Sequence, residues 1–123
     1  MKRALILTII AMLFAVPVMA DTVELIATWT PNTEPDLAGY NLYYSETPGG
    51  PYLFLAKFAG KVSTGKTTAG MVYGETLYFV LTAYDTEGLE SGYSNEALFR
   101  LPFPGEGIAP KAPSGFGVTG RVL

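Results

Sequence analysis

Leu77-Tyr78-Phe79-Val80-Leu81-Thr82-Ala83-Tyr84 is the stretch on which the reading of this chain turns. Leu77, Phe79, Leu81 and Ala83 alternate with Tyr78, Val80, Thr82 and Tyr84, a period of two that sends one set inward and the other outward. The same alternation returns twice. Val23, Leu25, Ala27 and Trp29 are interleaved with Glu24, Ile26 and Thr28, while Tyr40, Leu42 and Tyr44 share a face and leave Asn41 and Tyr43 outside. Tyr52–Phe58 is a further strand whose two faces are equally apolar, Lys61–Thr68 is small and polar as an edge strand is, and Asn95–Leu101 closes the series. Between them stand Pro31–Asp36, Thr47–Pro51 and Asp85–Tyr93, rich in the residues that turn a chain. No window carries a sustained helical period, so many short strands at turn-separated spacing predict an all-β antiparallel sandwich.

The ends have a different character. Lys2 and Arg3 precede an apolar run over Ala4–Val16, Pro17 breaks it, and Val18-Met19-Ala20 offers small residues for cleavage before Asp21. Met1–Ala20 is therefore expected to be a signal peptide helix, too short to span a bilayer, and the protein to be secreted or periplasmic. Its removal leaves six basic residues against eleven acidic ones, about −5. No basic cluster exists, which excludes nucleic acid and anionic membrane surfaces as partners. The chain has no cysteine, so its stability must come from one hydrophobic core over 21–101. Pro102, Pro104, Gly105, Gly107, Pro110 and Pro113 then form a tail over 102–123 that ends in another weak strand-like segment at 112–122.

Four strings in order resemble a fibronectin type III domain of the kind common in exported bacterial proteins. They are Trp29-Thr30-Pro31-Asn32, Glu34-Pro35-Asp36-Leu37-Ala38-Gly39-Tyr40, Thr82-Ala83-Tyr84-Asp85 and Glu90-Ser91-Gly92-Tyr93-Ser94-Asn95-Glu96. The resemblance covers Val23–Leu101 and implies an immunoglobulin-like sandwich in which strands A, B and E face C, C′, F and G. It makes Val23–Thr30 strand B, Gly39–Ser45 C, Tyr52–Lys57 C′, Leu77–Asp85 F and Asn95–Leu101 G. Two departures carry consequences. Leu77 stands where the family has a tyrosine that bonds across the E–F turn, so the corner at Met71–Gly74 is expected to be looser, at a cost of about 1 kcal/mol. Strand A is missing ahead of Val23, and Pro110-Lys111-Ala112-Pro113-Ser114-Gly115-Phe116-Gly117-Val118, which looks like a strand-A opening, lies at the other end.

A sandwich without strand A leaves strand B with an open edge. Three fates for the tail stay open: it folds back onto its own domain, it donates Phe116 and Val118 to a neighbouring copy by β-augmentation, or it is a remnant without fixed structure. The eight residues from Pro102 to Ala109 span up to roughly 27 Å when extended, long enough to run along one flank.

Chemistry is hard to build from these residues. Without histidine or cysteine the common general base, metal ligands and thiol nucleophile are gone, so no enzyme and no cofactor is expected. The family topology gathers Asn32, Glu34, Asp36, Asp85, Glu87 and Glu90 at one pole, and Asp36, Asp85 and Glu87 are the oxygen donors a calcium ion would take, although their spacing matches no calcium-loop motif. Tyr43, Tyr78 and Tyr84 are expected together on the outer face of the C–F–G sheet, where flat amphipathic rings suit protein contacts or sugar stacking, or else serve only as cross-strand pairs. The expected function is thus a non-catalytic binding or structural module with a protein or polysaccharide partner, the alternatives being a subunit self-assembling through its C-terminal strand and a carbohydrate-associated module. No Arg-Gly-Asp occurs, so integrin binding does not carry over from animal members.

Overall fold

A computed structural model describes residues 20–106 and 115–123. The leader, apart from Ala20, and the Pro110–Ser114 part of the strand-A-like segment lie outside the described residues. Seven strands are present, β1 (Asp21–Thr28), β2 (Leu37–Ser45), β3 (Leu53–Ala59), β4 (Thr64–Met71), β5 (Thr76–Asp85), β6 (Ala97–Arg100) and β7 (Gly117–Val122), and no helix occurs among the described residues. They pair antiparallel into a three-stranded sheet, β4-β1-β7, and a four-stranded sheet, β3-β2-β5-β6.

Alternation places the core where the sequence predicts it. Val23, Leu25 and Ala27 of β1 are sealed against Tyr40 and Leu42 of β2 and Leu77, Phe79 and Leu81 of β5. Trp29, just past β1, is held by its own N–H on the Ser63 carbonyl and packs on Tyr40 at 4.9 Å and Phe58 at 5.7 Å. The Tyr40 hydroxyl in turn accepts the Asn32 N–H at 2.7 Å, so one inward phenol both fills the core and ties down the loop between β1 and β2.

The tail completes the sheet of its own chain. β7 lies along the edge of β1 that the missing strand A would leave open, with Ala27 opposite Val118 and Val23 opposite Val122. Phe116 and Val118, the residues singled out as strand donors, are 5% and 6% exposed and join the core. The folded-back arrangement satisfies the β1 main chain without a second copy, and the sandwich therefore extends beyond residue 101 into the C-terminal segment.

The E–F corner lacks the phenol bond, as expected from Leu77, and is tied by main-chain bonds. Leu77 is buried opposite Phe99 and supplies no hydrogen bond, but main-chain bonds from the end of β6 replace it. Gly74 N–H reaches the Leu101 carbonyl at 2.7 Å, Leu101 N–H reaches the Glu75 carbonyl at 2.9 Å, and the Glu75 carboxylate accepts the Val72 N–H. Gly74 has a φ of +86°, and a Cβ there would meet the Phe103 ring at 2.6 Å, so the turn admits only glycine without displacement.

Candidate functional site

The outer face of the four-stranded sheet is built by a register irregularity. Leu42 pairs with Ala56 but Tyr43 pairs with Phe54, so β3 carries one extra residue, Leu55, at this point. That bulge puts Phe54 and Lys57, three positions apart, on the same outer face. Simple alternation cannot do so, which is why the facing of Tyr52–Phe58 is illegible in the sequence. Phe54 packs edge-on against Tyr43, with ring centroids 6.0 Å apart.

The second contribution comes from the segment between β5 and β6. Ser91 and Ser94 place their Oγ atoms where a neighbouring strand would place carbonyls, accepting Ala83 N–H at 2.8 Å and Leu81 N–H at 2.9 Å. Their own N–H groups return to the carbonyls of Ala83 and Leu81. Two serine hydroxyls thus stand in for a strand's carbonyls and tie Glu90–Glu96 to β5 without a regular ladder. In this bowed position Tyr93 stands over the face, its ring edge-on to Tyr43 at 5.8 Å and to Tyr52 at 5.1 Å. Tyr93 is 58% exposed and Phe54 57%.

Beneath these rings is a floor. Val80, which points away from the main core, is 2% exposed, and Thr82 and Asn41 beside it are buried. Glu90 anchors the arrangement through one carboxylate oxygen, which accepts from Thr82 Oγ1, Tyr43 Oη and, at 3.0 Å, Asn41 Nδ2. Glu96 does the same at the rim, where a single oxygen accepts from Tyr52 Oη and from Gly49 N–H at 2.7 Å. The charges follow from these bonds. The hydroxyls of Thr82 and Tyr43 and the Asn41 amide hold the Glu90 carboxyl below the usual carboxylate range. Conversely, donation to Glu90 raises the Tyr43 phenol, and donation to Glu96 pushes Tyr52 up to about 12. At neutral pH the Glu90 carboxylate is therefore held beside the neutral phenol of Tyr43.

Tyr43, Tyr78 and Tyr84 all lie on this outer face, as the alternation predicts, but their contacts diverge. Tyr43 is central to the cluster. Tyr84 stands opposite Gly39, where a Cβ would collide with its hydroxyl, and Lys57 Nζ lies 4.4 Å from its ring centroid. Tyr78 is paired with Leu98 of β6, on the far side of Val80. Tyr52, Phe54, Tyr93 and Glu96 escape the sequence reading as partner-binding candidates. Tyr93 was the legible one, since a large ring bracketed by Ser91 and Ser94 in a loop has no core to enter.

The oxygen-rich pole is organised differently from a cation site. Asn32, Glu34, Asp36, Asp85 and Glu90 border one open depression of about 330 Å³. Asp85 Oδ1 is occupied by the N–H groups of Glu87 and Leu89, both at 2.9 Å, and the Asp36 carbonyl by Thr86 N–H. Among the described residues no group of three or more metal-ligating side chains is placed to hold a metal ion, and the Asp85 carboxylate is used within its own turn.

No family model and no curated protein matches the chain. Among solved structures it is similar to a Fn3-like protein from Clostridium thermocellum, with 29% identity and a TM-score of 0.50 over 71% of this chain and 83% of that one. Strand order, sheet pairing and this neighbour agree: the chain is an all-β sandwich with an Fn3-like fold.

Proposed function

We propose that this protein is an exported, non-catalytic binding module that contacts a protein partner through the outer face of its four-stranded sheet. The observation that carries the reading is the aromatic cluster of Tyr43, Tyr52, Phe54 and Tyr93, held over its own buried floor on a face the fold does not need to cover. Tyrosine-rich, rigid, partly exposed clusters with a packed base are what protein interfaces use as anchors, and contiguous apolar surface of this kind on small domains marks contacts. Neighbouring rings tilted by 67–81° favour this over a polysaccharide, which calls for coplanar rings forming a flat platform. The apolar leader supports an exported protein, whose partner would lie in the periplasm, at the envelope or outside the cell.

The test is capture of envelope proteins by the wild-type chain and by the Tyr43→Ala/Tyr93→Ala variant, with Trp29 emission used to verify that both are folded. Loss of the captured partner in the folded variant is the expected result. An identical capture profile overturns the assignment of this face.

A further inference from the structure

We infer that the aromatic face recognises a basic protein segment, with an Arg or Lys side chain seated among Tyr43, Phe54 and Tyr93 against Glu90 and Glu96. This rests on the reading of the face as a protein-binding surface and specifies the chemistry of its partner.

Three observations lead there. First, two carboxylate oxygens on the face are open. Glu90 makes its three bonds through Oε1 and Glu96 its two through Oε2, while the second oxygen of each carboxylate has no donor among the described residues. The hydroxyls of Tyr43 and Tyr52 are already spent on those same carboxylates. Those two open carboxylate oxygens call for donors, which guanidinium and ammonium groups supply without bringing an acceptor. Second, the ring geometry suits a compact cation. Mutually tilted rings present a concave arrangement of π faces and edges, and a cation is attracted to the faces. The face already uses this attraction internally, in the seating of Lys57 over Tyr84. Third, the charge is complementary. Glu90 is held ionised by its donors, and the chain as a whole is acidic, so a basic segment is drawn in before it docks.

A neutral sugar carries no positive charge to set against the Glu90 carboxylate.

The experiment is a titration of the purified chain with the peptide (Arg-Gly)4, read by calorimetry and by the ring-proton shifts of Tyr43 and Tyr93. (Ser-Gly)4 and neutral oligosaccharides serve as comparison probes. Binding of (Arg-Gly)4 alone is expected, weakened about tenfold in Glu90→Gln/Glu96→Gln, whose amides keep one acceptor oxygen each and remove the charge. Glu34→Gln/Glu87→Gln removes the same charge elsewhere and should leave the affinity within about twofold. Absence of binding, or equal loss in the two double variants, overturns the inference, the latter by showing diffuse attraction to an acidic protein. Ring-proton shifts with the oligosaccharides and none with (Arg-Gly)4 overturn it as well, while leaving the face itself as the binding surface. The capture assay with Tyr43→Ala/Tyr93→Ala judges the face separately.

Discussion

The two sheets turn opposite outer faces to solvent. On the three-stranded sheet Glu24, Ile26, Thr28, Lys66, Thr68, Thr119 and Arg121 point outward, short or charged and without an aromatic ring. On the four-stranded sheet the equivalent positions hold Tyr43, Phe54, Tyr78, Val80 and Tyr84, with Tyr93 arched above them. Both faces satisfy the same structural demand, that of the solvent side of a half-buried sheet. The first shows that this chain forms regular antiparallel strands without outward aromatics. Outward aromatics are thus no requirement of strand pairing in this chain, which supports the proposed docking role of the second face.

The sheets also differ in how the chain assembles them. β2 and β3, and β5 and β6, are consecutive in sequence, whereas β1 must find β4 and then β7 from the opposite end of the chain. The largest expected effect comes from breaking the sheet made of distant parts. Deleting residues 115–123 exposes Val23 and Leu25 and removes Phe116 and Val118 from the core. The cost should be about 4 kcal/mol or more, seen as a collapse of the urea midpoint. An unchanged midpoint would mean that β7 contributes nothing to the sandwich.

A smaller effect sharpens the contrast of the outer faces. Val80→Ala should cost about 1.5 kcal/mol despite pointing away from the core, because the aromatic cluster buries it. Ile26→Thr, on the polar face, should cost less than half as much in the same denaturation assay. Equal losses would show that the two faces are packed alike.

Titration gives the next distinction. Glu90 sits below the usual carboxylate range, so its bonds contribute fully above that range and are lost as acid protonates it. Tyr52 sits above the ordinary phenol value, so its contribution is complete below about pH 10 and disappears as pH rises through about 12. Phenolate absorbance should accordingly show Tyr52 ionising late, and Glu96→Gln should return it toward its ordinary value. A titration unaffected by Glu96→Gln contradicts the hydrogen bond. Least of all should follow from Arg121→Ala, which breaks an exposed pair with Glu24 on the polar face and should change stability by no more than about 0.5 kcal/mol.

The legible part of this structure is the part governed by alternation. β5, β2 and β1 announce themselves because one face of each is sealed and the other is not, and the inward set Leu25, Tyr40, Leu42, Phe79 and Leu81 follows directly. The outer cluster was only half visible. Tyr43 and Tyr84 obey the period, but Phe54 reaches its place through a bulge, and Tyr93 through serine hydroxyls standing in for a strand's carbonyls. Neither device leaves a periodic trace. At the E–F corner the missing phenol was visible in the sequence, whereas the bonds of Gly74 and Leu101 join main-chain atoms that any residue carries.

Leu123 N–H donates to the Thr22 carbonyl at 3.0 Å, so the last residue of the chain lies beside the first strand. A short loop joining Leu123 to Asp21, with the chain reopened between 106 and 115, would leave every described strand pairing in place. It would convert the order of elements into one that starts on β7. Such a circular permutant should refold to the same sandwich, which makes the wiring of this domain a matter of history and its pairing a matter of physics.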